Sequence, residues 1–254
     1  MRFFIVVLLL LSGKVCAQVN SGARYMAMAN AGTALEDVYS LGNNQAGIAS
    51  IEFPELAFAF QEHFYPTNTQ SVAAMVVIPS KIGAIGLYSN RYAMKHSFAE
   101  TKSAITYARL LKSKLAVAVT MNYHRLAIPD YATTETMSFD LGFQYHLSEE
   151  WLWGVQYSSF DVPVKLKLGT SYLFSKQVLL ALDSEYSFEK SADFRLGLEY
   201  SIQSWLKLRG GTSVNPFMHY AGTGLSFRKF NMDAASSFHP QLGISPQLSL
   251  GYAF

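Results

Sequence analysis

The chain has 254 residues, of which 50% are hydrophobic, 14% aromatic and only 15% charged. That charged share lies well below the roughly 25% of soluble domains, and so apolar a composition excludes intrinsic disorder. Fifteen Tyr, 18 Phe and 17 Gly point to strands and turns rather than a helix bundle.

The first residues read as an export signal. Arg2 is a positive start, residues 3–11 are an unbroken apolar run too short to span a bilayer, and Val15-Cys16-Ala17 fits a small-residue cleavage site. Residues 1–17 are therefore assigned to a signal peptide, with Gln18 first in the mature chain. The competing reading makes Cys16 a lipidated residue, but Lys14-Val15 fit that pattern poorly. Taking Arg2 and Lys14 off the 20 basic residues balances the 18 acidic ones, so no basic surplus points to nucleic acid. Cys16 is the only cysteine, which excludes disulfides and thiolate chemistry from the mature chain. No further run of about 18 apolar residues follows, so no spanning helix is expected.

Residues 18–53 are small and polar, rich in Gly, Ala and Asn, without strand alternation. From Pro54 onward apolar and polar residues alternate almost without pause. Leu115, Val117, Val119, Met121 and Tyr123 oppose Ala116, Ala118, Thr120, Asn122 and His124. Phe194, Leu196, Leu198, Tyr200 and Ile202 oppose Arg195, Gly197, Glu199, Ser201 and Gln203. A period of two over ten residues is a strand with one greasy and one polar face. Some fourteen such segments begin near Leu56, Ser71, Gly83, Lys102, Leu115, Thr136, Trp151, Val164, Val178, Phe194, Leu206, His219, Phe230 and Gly243. Each has room for the roughly 9–11 residues of a tilted membrane strand plus a turn.

Patterning alone leaves a soluble sandwich open. Three features favour a transmembrane β-barrel. The strands are long. Aromatics gather near segment ends, at Tyr88 and Tyr92, Tyr123, Trp151 and Trp153, Tyr172 and Phe174, Tyr186 and Phe188, where interfacial girdles sit. The last strand, Leu248-Ser249-Leu250-Gly251-Tyr252-Ala253-Phe254, ends on Phe and resembles the C-terminal assembly signal of outer-membrane barrels. The expected fold is all-β: about fourteen antiparallel strands over residues 54–254, with residues 18–53 folded inward as a plug, because so wide a lumen must be wet or filled. The longest connections are expected near residues 92–102 and 128–136.

The outward face is almost uncharged. Charges fall on the inward face: Lys165 and Lys167, Asp183 and Glu185, Arg195 and Glu199, Lys207 and Arg209, on four successive strands and largely alternating in sign. Opposite charges across neighbouring strands attract, by roughly 0.2–1 kcal/mol per pair, so this wall reads as self-neutralising rather than ion-selective.

The N-terminal stretch carries a motif. Gly22-Ala23-Arg24 leads into Ala31-Gly32 and Asp37, and Asn43-Asn44-Gln45-Ala46-Gly47 follows. This resembles the hatch of the FadL-like outer-membrane transport superfamily, and in particular its PorV/PorQ-like branch associated with type IX secretion. Gln45 stands where that pattern has Pro. The resemblance implies a fourteen-strand barrel with an N-terminal hatch. It implies two competing roles: hatch-gated passage of small hydrophobic molecules, or a non-conducting scaffold serving secretion-system proteins.

Catalysis is not indicated. Six His are scattered singly, no pair has metal-ligand spacing, and there is no G-x-S-x-G elbow. Gly22, Gly32 and Gly47 fit no phosphate loop. No catalytic, cofactor or metal site is assigned. The expected surroundings are outer-membrane lipid, with no nucleic-acid partner; an outer-membrane enzyme ranks third.

Overall fold

The computed structural model describes residues 20–95, 97–159, 164–187 and 190–254. The signal-peptide assignment, Cys16, Gln18, His96 and Phe188 lie outside them. Fourteen strands alternate along the chain: β1 Glu55–His63, β2 Thr69–Ser80, β3 Gly83–Met94, β4 Phe98–Leu111, β5 Leu115–Ile128, β6 Ala132–His146, β7 Trp151–Ser158, β8 Lys165–Ser175, β9 Val178–Ser187, β10 Lys190–Gln203, β11 Leu206–Val214, β12 Phe217–Phe227, β13 Phe230–His239 and β14 Gly243–Ala253. Each pairs antiparallel with its sequence neighbours, and β1 pairs with β14 to close the barrel. Closure leaves no edge of unpaired amides, the condition for crossing hydrocarbon with strands.

The alternation sets the faces. Phe139, Leu196, Leu198 and Leu250 face out, Leu198 being 44% exposed, whereas Thr120, Asn122 and Asp140 face in and are buried. Two ends follow from the topology. At the near end lie residues 54 and 254, the start of β1 and the close of β14. Its aromatic residues pack edge to face: Trp151 and Tyr172 are 6.1 Å apart, Tyr172 and Phe174 4.7 Å, Tyr252 and Phe254 4.9 Å. The far end carries the opposite set of hairpins.

Two expectations need correction. Tyr88 and Tyr92 do not join the outer girdle. Tyr88 is buried inside and donates to the Asn20 carbonyl at 3.1 Å, and Tyr92 packs on the inward ring of His63 at 5.0 Å. Register decides this, because both fall on even positions of β3, whose odd positions face lipid. Nor are the longest connections near residues 92–102 and 128–136. Strands β3 to β6 run on there and turn within 95–97 and 129–131, while the connection between β7 and β8 covers 159–164. Polar residues such as Arg91, Thr101, Arg125 and Glu135 hid these strand ends; above the lipid belt the outward face no longer has to be apolar.

Residues 20–51 lie inside the barrel. They form a short helix, α1 (Ala23–Ala27), and two 3-10 turns at Val38–Gly42 and Gln45–Ser50. Helix α1 packs on β11 to β14, and the two turns pack on β1 to β6. The wall is cut away to receive them. A Cβ on Gly197 of β10 would come 2.7 Å from the Met28 carbonyl oxygen, and one on Gly211 of β11 would come 2.7 Å from the Ala29 amide nitrogen. Inward alanines Ala57, Ala73, Ala108 and Ala116 join Leu41, Ile48, Met75 and Val77 in one buried core. The molecule's main apolar core is thus the contact between this segment and the wall.

Candidate functional site

The hatch motif forms the inner scaffold of the N-terminal segment. Gly22, at φ 84°, precedes α1, and the Ala23 amide donates to Ser249 Oγ at 3.2 Å. Ala31 and Ala46 are buried. Gly32 faces the Tyr25 ring and Gly47 the Ser40 side chain, with no room for a methyl group at either. Asp37 caps the first 3-10 turn by accepting from the Tyr39 amide at 2.8 Å. Asn43 donates to the Asn30 carbonyl at 3.2 Å. Asn44 donates to the carbonyls of Thr33, at 2.7 Å, and Phe143, at 3.0 Å, tying the segment to β6. These are turn and docking bonds, which occupy the polar atoms a ligand would use.

The charges meet across the gap between segment and wall. Glu199 on β10 is the centre. Arg24 Nε donates to it at 3.0 Å, Arg209 Nε at 2.7 Å and Lys207 Nζ at 3.3 Å. Arg24 also reaches Asp37 at 2.6 Å, and Arg209 reaches Asp233 at 2.6 Å. Burial works against the Arg24 charge, but the carboxylates of Glu199 and Asp37 outweigh it and hold its pKa above the ordinary guanidinium value. The result is a clasp of three cations and three carboxylates, in which the segment supplies Arg24 and Asp37. Asp183 accepts from the Thr33 amide at 3.0 Å and its hydroxyl at 2.7 Å, and Lys167 donates to Asn43 at 3.4 Å.

Sequence reasoning set the eight wall charges on one inner face but paired them only with one another. Glu199 does pair with Arg209 and Lys207, and Arg195 with Glu185, but Asp183, Glu199 and Lys167 also bond the segment. It passed over Asp233, Asp193, Thr33 and the Lys102–Asp140 pair at 3.6 Å. A signal was available in Arg24, a lone cation in a run of small residues that needed a carboxylate partner.

Above the segment, at the far end, the lumen opens into a vestibule of about 640 Å³ whose floor includes Asn30. Glu185, Asp193, Arg195, Phe64, Tyr220 and Leu242 are among the residues that line it. Two Ser–His contacts lie in the wall, Ser71–His63 at 3.0 Å and Ser138–His124 at 3.1 Å. All four residues are buried, and the first contact is shared with Asn20. Among the described residues no group of three His, Cys, Asp or Glu is placed to hold a metal ion, and no helix is long and apolar enough to cross a membrane.

No protein-family model and no curated protein sequence matches the chain. Solved structures do match in shape. The CymD monoaromatic hydrocarbon channel is 13% identical, with a TM-score of 0.73, over 92% of this chain and 97% of that one. The Pseudomonas putida toluene transporter TodX is 12% identical, with a TM-score of 0.73, over 92% and 98%. A Pseudomonas aeruginosa FadL homologue is 11% identical, with a TM-score of 0.73, over 92% and 98%. The PorV/PorQ branch is not represented among these structures. At such identities the likeness speaks for the fold: the chain is a closed fourteen-strand antiparallel barrel of the shape seen in FadL- and TodX-type outer-membrane channels.

Proposed function

We propose that the chain is an outer-membrane channel for small hydrophobic solutes, exported through residues 1–17, gated by a hatch of residues 18–53 and built on a barrel of residues 54–254. The observation that carries this reading is the N-terminal segment seated inside a closed barrel whose outer wall is apolar, held by one charge clasp and a tight apolar contact. Bonds to the wall run along the whole segment, Asn20 to Ser71, Asn44 to the Phe143 carbonyl and Ser171 to the Ala34 carbonyl among them, while the closed ladder around it holds without it. The names of the similar structures, a hydrocarbon channel and a toluene transporter, support the solute class and a non-enzymatic role. The hatch motif is the sole support for the other reading, a scaffold in type IX secretion.

Cell fractionation should place the protein in the outer membrane with heat-modifiable gel migration; a soluble periplasmic pool would remove the reading. Deleting residues 23–49 should leave a barrel that still shows heat-modifiable migration but conducts ions in planar bilayers, while the full-length protein stays nearly silent. Equal silence from both would mean that the segment does not close the lumen. Toluene uptake into proteoliposomes at the rate of empty liposomes would favour the scaffold.

A further inference from the structure

The outer wall carries a groove that crosses the seam between β1 and β14. Its volume is about 390 Å³, and apolar side chains make up most of its lining. The floor is the pair Thr223 and Ala234, which face each other on β12 and β13. The Thr223 hydroxyl is committed to the Lys207 carbonyl at 3.2 Å, which leaves its methyl group to the groove. Larger neighbours raise the sides. Leu225 and Met232 pair on the near-end side, while Leu248 and Phe60 pair across the seam. All four are exposed on the outer face. Small side chains set among large ones therefore leave a depression in the wall.

The same hairpin ends in two cations. Beyond the groove, β12 and β13 pair Phe227 with Phe230, and Phe230 meets the Tyr252 ring at 4.7 Å. Such an aromatic belt marks the level of lipid headgroups. The turn that follows is Arg228-Lys229, fully on the surface, with the Arg228 guanidinium carbon 5.4 Å from the centre of the Phe227 ring. Among the described residues neither cation makes an ion pair. Glu55, level with Lys229 two strands away, belongs to the inward set of β1 and lies with Asp37 and Val38. From Thr223 to Arg228 is about 16 Å of tilted strand. The groove thus lies within the roughly 15 Å depth of the hydrocarbon leaflet at the near end.

We propose that this face binds one anionic glycerophospholipid of the near-end leaflet, its phosphate on Arg228 and Lys229 and an acyl chain laid in the groove over the β1–β14 seam. Charge complementarity chooses the occupant. Each basic residue near a membrane surface favours an anionic lipid by about fivefold, and here two adjoin the end of an apolar groove. A second copy of the barrel is disfavoured, because a twofold contact through this face would set Arg228 and Lys229 against their like. The site depends on the barrel's place in a membrane and not on what its lumen passes.

The test is native mass spectrometry of the full-length mature protein, reconstituted in nanodiscs holding equal amounts of palmitoyl-oleoyl phosphatidylglycerol and phosphatidylcholine and then released from them. Phosphatidylglycerol should be retained over phosphatidylcholine by at least about tenfold. The double variant Arg228→Gln/Lys229→Gln should bring that ratio close to one. Lys112→Gln/Lys114→Gln, which removes two cations from the β4–β5 turn away from the groove, should leave it unchanged. Ala234→Phe fills the groove and should cut retention of both lipids about tenfold. Heat-modifiable migration checks that each variant is a folded barrel, and the turn variants, which alter only exposed side chains, keep the site testable should Ala234→Phe fail to fold. Equal retention of the two lipids would overturn the proposal, as would a preference lost equally in the Lys112 and Lys114 variant or retention indifferent to Ala234→Phe. A two-chain species split by Ala234→Phe would assign the groove to a second copy instead. Toluene uptake is a separate readout: lipid retention without uptake would remove the channel and leave the site standing, and uptake without lipid preference would do the reverse.

Discussion

Gly154 on β7 faces the carbonyl oxygen of Thr33 with no space between them for a methyl group. The contact joins backbone to backbone, so no rotamer can relieve it. Gly154→Val should therefore unseat the middle of the N-terminal segment while leaving the β6–β7 and β7–β8 ladders intact. Planar-bilayer recordings should show conductance where the parent is nearly silent, with heat-modifiable migration retained. Gly210→Val is the control. Gly210 faces out from β11, and a Cβ there would meet only the Tyr220 carbonyl oxygen at an ordinary 3.8 Å. A Gly154 variant as silent as the Gly210 variant would show that the segment tolerates displacement.

The clasp predicts an energetic coupling. Glu199 is 5% exposed and neutralises cations from both segment and wall. Removing one partner of a buried pair costs about 3–5 kcal/mol, because the other charge is left unpaired. Glu199→Gln and Arg24→Met should each destabilise the protein in urea titrations from lipid vesicles. The double variant should cost less than the sum, by at least about 1 kcal/mol. Strict additivity would mean that the pair is not a working contact.

Facing can be tested on one strand. Leu198 points outward on β10, and Ser201 belongs to the inward set of the same strand. Leu198→Arg should cost about 2–4 kcal/mol if its depth is near the bilayer midplane. Ser201→Arg, at a half-buried position on the inward face, should be mild. Equal costs in vesicle unfolding would refute the register.

Much of the barrel was legible because one physical rule repeats along it. Lipid outside and water or protein inside force a period of two, and Leu115 to His124 or Phe194 to Gln203 display it residue by residue. The starts of β3, β5, β7, β9, β11, β13 and β14 are marked by near-end turns or a glycine and coincide with the expected positions. The starts of β4, β6 and β10 lie a few residues earlier than expected, where the outward face leaves the hydrocarbon and alternation fades. Tyr88 was misplaced for a related reason: an aromatic looks alike in a girdle and in a core, and only register separates them. The candidate site was less legible. Lys167, Asp183 and Glu199 announce an inner face, but their partners Asn43, Thr33 and Arg24 come from the N-terminal segment. Pairing across the lumen depends on how the segment coils, which no periodicity encodes. The vestibule was missed altogether, because Phe64, Glu185, Ser213 and Leu242 converge only through barrel closure.

The seam between β1 and β14 has a consequence for assembly. The N-terminal segment enters the lumen at the near end through residues 51–54, beside the pairing of Glu55 with Ala253. The packed interior leaves little clearance for a folded segment to slide in from an end, given the close approaches at Gly197 and Gly211. A sheet that curls and zips at this seam last wraps the segment laterally and never has to thread it. On this route the occupant takes its place on an open sheet before the wall shuts around it, so a disulfide engineered across the β1–β14 seam before the segment docks should block its seating.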